Sequence, residues 1–167
     1  HGANVGLDGA VTISGWGTFG SFSGLHGSVN HAGGSGTLTL SLVPANAGGA
    51  ACIHVENNGQ VDMEGSGTIT VGGGTGLVTT VFDGDSNGSF FSTLATTSDN
   101  ASTPANSQVF SAVHGASVIL VAPITATHFT YSCTAHEGGS ADQGSGGRTF
   151  TNVGSTNVAN TGTCTLF

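Results

Sequence analysis

The sequence predicts an all-β protein, an antiparallel sandwich of jelly-roll type with about ten short strands and little or no helix. Short alternating or β-branched segments recur along the 167 residues, bounded by Gly, Asn and Asp. Two Asn-Gly pairs, Asn58-Gly59 and Asn87-Gly88, separate apolar runs as hairpin turns do. No long window has the apolar spacing of an amphipathic helix, since 30 glycines interrupt most of them.

The predicted strands run from one turn signal to the next along the chain. We predict them at residues 10–14, 37–43, 50–55, 67–71, 77–82, 89–94, 108–113, 116–121, 125–133, 148–153 and 161–167. His114-Gly115 marks a third hairpin. Residues 34–40 and 65–71 read GSGTLTL and GSGTITV, which indicates two equivalent strands of one sheet; two copies are too few to predict a solenoid. Residues 96–107 and 138–147 are predicted to be loops.

Composition restricts the possible partners. The chain has one cation, Arg148, nine carboxylates and a net charge of −8, which excludes a basic surface for nucleic acid or anionic lipid. No apolar run is long enough for a membrane span. The length suits one domain over residues 1–167. His1 at the amino terminus, scarce Lys and three cysteines predict a secreted, extracellular domain.

The three cysteines, Cys52, Cys133 and Cys164, allow one disulfide with one cysteine left over. Three pairings are possible, and the sequence does not choose among them. The remaining cysteine could be a thiol, a metal ligand or a bond to another chain.

Residues 127–139, THFTYSCTAHEGG, place Cys133 at the end of an alternating strand and His136 three residues later. The period of two puts Phe129, Tyr131 and Cys133 on the predicted core face. The segment resembles the copper loop of the cupredoxins, in which a Cys and a nearby His supply two ligands. That resemblance implies a further His ligand, for which His54 and His114 are candidates. No Met follows His136, so Gln143 or a carbonyl would have to be the axial ligand.

His1-Gly2 provides a second copper alternative. A mature amino-terminal His chelates copper through its amine and its ring, and these two residues resemble the terminus of the lytic polysaccharide monooxygenases. One Trp and one Tyr leave little aromatic surface for a glycan substrate.

The segment Asp83-Gly-Asp85-Ser-Asn87-Gly88 has oxygen ligands at alternate positions, as a calcium loop does. The twelfth position is Leu94, which excludes an EF-hand. The expectation is a calcium site of Asp83, Asp85 and Asn87 in a β-hairpin, completed by Asp62, Glu64 or Asp99 from elsewhere in the chain; the alternative is an Asx-rich turn.

The function predicted from these features is an extracellular structural or adhesive module. Because edge-protecting charges are scarce, sheet edges are expected to pair with further copies of the chain, forming a filament, coat or matrix through donor strands at residues 1–14 or 161–167. The alternatives are a copper-binding protein and a carbohydrate-binding module. Asn87 and Asn100 lie in N-glycosylation triplets. No catalytic motif is recognised, so an enzyme is not expected.

Overall fold

The computed structural model describes residues 4–6, 9–14, 22–25, 28–31, 37–43, 47–72 and 77–166. These residues form strands and contain no helix, which confirms the all-β prediction. In chain order the strands are β1 (Asn4–Gly6), β2 (Ala10–Ser14), β3 (Phe22–Leu25), β4 (Ser28–His31), β5 (Thr37–Val43), β6 (Ala47–Glu56), β7 (Gln60–Met63), β8 (Ser66–Val71), β9 (Leu77–Gly84), β10 (Ser89–Ser92), β11 (Ala95–Asp99), β12 (Gln108–Ala112), β13 (Ser117–Leu120), β14 (Ile124–Phe129), β15 (Tyr131–Ala135), β16 (Ser140–Gln143), β17 (Arg148–Val153), β18 (Asn157–Val158) and β19 (Thr163–Leu166).

The strands form three parallel sheets, so the predicted antiparallel jelly-roll sandwich is wrong. Sheet A has the order β1-β4-β7-β10-β13-β16-β19, sheet B the order β2-β5-β8-β11-β14-β17, and sheet C the order β3-β6-β9-β12-β15-β18. Each coil of the chain adds one strand to each of the three sheets. The next coil pairs with it strand by strand, and each such level of the stack is called a rung. The protein is therefore a β-solenoid, in which the neighbours of a strand lie one coil away in sequence.

A stack of tight turns joins sheet C to sheet A. In the turn at residues 56–59, Asn57 and Asn58 have φ angles of 54° and 60°, and Gly59 N donates to Glu56 O over 2.8 Å. Such a turn is of type I′, which favours Asn and Gly. Turns at residues 85–88, 113–116, 136–139 and 159–162 have the same closing hydrogen bond. These five turns are called the turn stack below.

The predicted hairpins are wrong, although the turn residues are correctly identified. Each turn also bonds to the next: Asn58 N donates to Ser86 O, and Asn87 N donates to His114 O, over 3.2 and 3.1 Å. The Asn-Gly signals thus mark corners at which the chain enters a different sheet, and no described strand pairs with the strand directly before it.

The core lies inside the coils, where residues of equal register form ladders. One ladder in sheet C contains Ile53, Phe82, Phe110 and Cys133, all buried. The Phe82 ring stacks on Phe110, with centroids 5.6 Å apart, and on Phe90 of sheet A, at 4.7 Å. Because each large side chain contacts the coils before and after it, the coils stabilise one another.

The coils become shorter toward the carboxyl end. Two residues that pair between neighbouring coils are separated in sequence by 29 residues at Thr37 and Ser66, by 28 at Asp99 and Thr127, and by 23 at Ser140 and Thr163. In the sheet A ladder the enclosed side chains are smaller in the short coils, where Ala141 and Cys164 follow Phe90 and Val118. Shorter coils enclose less volume, and close packing requires smaller side chains there.

A disulfide joins Cys133 of β15 to Cys164 of β19, which selects one of the three possible pairings. It links sheet C to sheet A across the interior of the short coils. Cys52 is buried in β6, and burial raises the pKa of its thiol far above the ordinary value.

Three local predictions are corrected. The predicted strand at 125–133 is two strands in different sheets, β14 and β15, because the chain turns a corner at His128–Thr130, where His128 has a φ of 60°. The predicted loops at 96–107 and 138–147 contain most of β11 and all of β16, both short and polar in sequence.

The strands predicted as donors are paired within the chain. β1 pairs with β4, β2 with β5 and β19 with β16. The two similar segments, 34–40 and 65–71, lie partly in β5 and β8, which are neighbours in sheet B. No helix of the described part of the chain has the length and apolarity that crossing a bilayer requires.

Candidate functional site

The outer face of sheet B carries a regular array of threonines. In β5 the residues alternate, so that Leu38, Leu40 and Leu42 are buried while Thr37 and Thr39 are exposed. The same alternation in the other strands places hydroxyls outside and apolar side chains inside. We call the following outward-facing residues the threonine face: Thr39, Ser41, Thr68, Thr70, Thr97, Thr125, Thr127, Thr149 and Thr151.

The centre of this face is one continuous ladder. Ser41 pairs with Thr70, Thr70 with Thr97, Thr97 with Thr125 and Thr125 with Thr149. Every neighbouring pair is in register, so one hydroxyl-bearing side chain succeeds another at the inter-strand distance of about 4.8 Å. Four of the five side chains are threonines, whose β-branch restricts the side chain to few rotamers on a strand.

Shorter ladders lie two residues to either side of the central one. Thr39 pairs with Thr68 on one side, and Thr127 pairs with Thr151 on the other. Alternate residues of a strand are separated by about 6.6 Å, so the hydroxyls repeat in two directions. β11 interrupts the side ladders, because Ala95 and Asp99 flank Thr97.

The central hydroxyls are available to a ligand. Thr70, Thr97, Thr125 and Thr149 are exposed, and their side chains form no hydrogen bond with any residue in the described ranges. At the border of the face, Thr127 Oγ1 donates to Asp99 Oδ1. Asp99 is the one carboxylate among the described strands of sheet B.

Seven of the eight described carboxylates lie outside sheet B, and four of them, Glu56, Asp83, Asp85 and Glu137, lie in the turn stack or at the adjoining end of sheet C. His114 Nδ1 lies 2.6 Å from Asp85 Oδ1, and its Nε2 lies 2.5 Å from Glu137 Oε2. His54 Nδ1 lies 2.7 Å from Asp83 Oδ2. The protein thus has a charged corner and, on the sheet that does not border it, a nearly neutral face.

These contacts change the ionisation of three groups. The hydrogen bond with Asp83 is the main reason that the pKa of His54 is raised, although burial opposes it. The hydrogen bond with Asp85 likewise raises the pKa of the exposed His114. Burial would raise the pKa of Asp85, but hydrogen bonds from His114 and Ser86 outweigh it and lower that pKa.

The predicted calcium ligands lie near one another but contact different partners. Asp83 accepts from His54, Asp85 accepts from His114, and Asn87 is exposed in the turn stack. Among the described residues, no group of three or more His, Cys, Asp or Glu side chains could hold a metal ion. The calcium site remains a prediction that these contacts do not favour.

The copper loop loses its thiolate, because the Cys133 sulfur is bonded to Cys164. His136 is half-buried in the turn stack, and the side chains of His54 and His114 bond to carboxylates. His1 lies outside the described residues. The cupredoxin-like site is therefore corrected to a structural disulfide.

Asn100, a predicted glycosylation site, is buried at the corner between sheets B and C. Its Oδ1 accepts from Val78 N over 2.8 Å, and its Nδ2 donates to Val78 O and His128 O over 3.1 and 3.3 Å. Since Val78 and His128 belong to the preceding and following coils, Asn100 ties three coils together. Its amide nitrogen is not accessible to a glycan, whereas Asn87 is exposed.

The threonine face is not among the sites predicted from the sequence. A signal was present: Thr-x-Thr recurs at Thr37-Leu-Thr39, Thr68-Ile-Thr70, Thr125-Ala-Thr127 and Thr149-Phe-Thr151. Each copy by itself predicts only an alternating strand. Its significance depends on parallel pairing, which brings successive copies together on one surface. Compared with known proteins, the chain matches no family model, no curated protein and no solved structure.

Proposed function

We propose that this protein is a non-catalytic, extracellular adhesive module that binds a solid with a repeating surface through the threonine face. The observation that carries the proposal is the in-register central ladder from Ser41 to Thr149, whose threonine hydroxyls have no partner among the described residues. A soluble ligand needs a concave pocket lined by converging groups. A row of identical groups at constant spacing instead suits a target that itself repeats.

The physical advantage of the array is its low entropic cost. Parallel hydrogen bonds fix each strand, and the β-branch of threonine restricts the side chain. Little conformational freedom is then lost when many weak contacts form at the same time. The small number of charges on the face also limits the desolvation cost of binding a neutral solid.

The test is co-sedimentation of the purified protein with a panel of insoluble solids, namely microcrystalline cellulose, chitin, calcite and ice. We expect the protein to bind at least one of them, and Thr97→Tyr, which places a bulky ring in the centre of the ladder, to abolish that binding. Ser89→Tyr is the matched control, since Ser89 is exposed on sheet A in the same coil as Thr97. Absence of binding to every solid, or equal binding by Thr97→Tyr, would refute the proposal.

End-to-end self-association is a second candidate function, favoured by the strands that are last in each sheet. Within the described residues, β17, β18 and β19 pair on one side only. Phe150 and Leu166 there are only partly buried, and Val158 of β18 is 47% exposed. Unpaired strands with few charges are suited to pairing with a second copy of the chain.

Sedimentation velocity over a range of protein concentrations tests this association. A lysine at a strand edge opposes pairing, so Val158→Lys is expected to shift the protein toward monomer. Val121→Lys is the control, because Val121 is also an exposed apolar residue, at 37%, but does not belong to an end strand. A concentration-independent monomer for the unmodified chain would exclude self-association.

A further inference from the structure

The threonine face has the chemistry and the spacing to bind ice. This inference rests on the proposed function and names the solid. Threonine presents a hydroxyl, which bonds to water, and a methyl group, which water cannot bond to. Where both groups recur at fixed intervals, some surface water molecules hydrogen-bond to the hydroxyls and others surround the methyl groups. The arrangement of the surface water then follows the spacing of the side chains.

The spacing of the array is set by the sheet. Successive rungs, such as Thr70, Thr97 and Thr125, are about 4.8 Å apart, and alternate residues of one strand about 6.6 Å apart. Oxygen atoms on the faces of hexagonal ice repeat at similar distances. The agreement is closer for the spacing between neighbouring strands than for the spacing along one strand. The central ladder is continuous across the strands, whereas along any one strand the face contains only one or two threonines.

The composition of the face favours ice over the other repeating solids. Crystalline polysaccharides present flat sugar rings, which aromatic side chains bind by stacking, and none of the threonine face residues is aromatic. Ionic minerals require charged groups, and within the described strands of sheet B the face has Asp99 at its border, already bonded to Thr127. Ice is neutral and consists of hydrogen-bonding groups alone, which corresponds to the exposed hydroxyls.

The outer faces of the other two sheets are less uniform. Sheet A has one row of hydroxyls, Ser89, Ser117, Ser140 and Thr163, in which Thr163 Oγ1 donates to Ser140 Oγ. The next row on sheet A, two residues further along each strand, is Asp62, Phe91, Ile119 and Asp142, in which two apolar groups lie between two charged groups. On sheet C, His54 is followed by Asp83, Ser111 and Thr134. Within the described residues, neither sheet repeats hydroxyls in neighbouring rows as sheet B does. From these observations we infer that the protein adsorbs to ice through sheet B.

The experiment is ice-affinity partition of the disulfide-bonded protein. Ice is grown slowly from a dilute solution, and the protein is measured in the ice and in the remaining liquid. The unmodified chain and Ser89→Tyr are expected to be enriched in the ice. The enrichment of Thr97→Tyr is expected to be about ten-fold lower, which corresponds to the loss of a few favourable contacts. Thr125→Tyr is a second blocking variant on the neighbouring strand, and circular dichroism checks that all variants are folded.

Two results would overturn the inference. One is exclusion of the unmodified protein from ice to the same extent as an inert globular protein. The other is equal incorporation of the folded Thr97→Tyr and Thr125→Tyr variants. If another solid in the panel is bound and Thr97→Tyr abolishes that binding, the threonine face is still the adhesive surface but its target is not ice, so the two proposals fail separately.

Discussion

Thr97 of β11 is in register with Thr125 of β14, 28 residues later in the chain, and both side chains are exposed on sheet B. The same relationship extends the ladder to Thr70 on one side and Thr149 on the other. Parallel coiling thus converts a modest local pattern, Thr-x-Thr, into an extended surface.

Removing the disulfide should destabilise the carboxyl-terminal coils. Cys133 and Cys164 are separated by 31 residues, and a bond closing a loop of that size contributes about 2–4 kcal/mol. We expect Cys133→Ser with Cys164→Ser to lower the free energy of unfolding by that amount, measured by urea denaturation. An unchanged unfolding midpoint would show that the coils do not depend on the bond.

Two adjacent glycines of the turn stack should differ in their tolerance of alanine. Gly138 has a φ of 80° and open space where a Cβ would lie, so Gly138→Ala should cost about 1–2 kcal/mol from backbone conformation alone. A Cβ on Gly139 would overlap the carbonyl group of Ala112 in the preceding coil. Gly139→Ala should therefore be the more destabilising of the two in thermal denaturation. The reverse order would contradict the stacking of the turns.

Replacing Asn100 should loosen three coils at once. Asn100→Leu leaves Val78 N, Val78 O and His128 O without their buried partner, at a cost of roughly 2–4 kcal/mol. Ser102→Ala, an exposed change close by, should alter stability by less than about 0.5 kcal/mol. Hydrogen exchange at the amide of Val78 locates the effect, and slow exchange there in Asn100→Leu would be evidence against the proposed tie.

Stability should decrease as the pH rises through the pKa of His54. The folded protein raises this pKa above its ordinary value of 6.5, mainly through the hydrogen bond with Asp83. The stabilisation is thus fully present below the unfolded pKa and is lost as the pH increases through the raised value. Urea midpoints measured across this range should fall with pH in the unmodified chain and fall less in His54→Gln. Parallel pH profiles for the two proteins would exclude a role for His54.

The strands and turn residues were largely predictable, but their arrangement was not. Alternation around Leu38, Leu40 and Leu42 indicates a half-buried strand wherever that strand is placed. A solenoid is recognised by a fixed period, and here the separation of rung partners falls from 29 to 23 residues. The visible similarity of 34–40 and 65–71 is also two residues out of register with the true pairing of Thr37 and Ser66. An Asn-Gly turn has the same sequence in a corner as in a hairpin.

The candidate site was harder to predict than the fold, for a physical reason. Metal and catalytic motifs are recognised by rare side chains, and on that basis Cys133 with His136 predicts a copper site. In the folded chain Cys133 is a structural residue, since its sulfur is bonded to Cys164. The threonine face uses common residues, and its significance comes from repetition between strands that are far apart in sequence.

The difference between the freezing and melting temperatures of a single ice crystal, measured in a solution of the protein, tests the central claim most directly. If the threonine face adsorbs to ice, the freezing temperature of the crystal will lie below its melting temperature in solutions of the unmodified chain and of Ser89→Tyr. Thr97→Tyr will remove most of that difference. Coincident freezing and melting temperatures in the unmodified protein, or an equal difference in folded Thr97→Tyr, would contradict it.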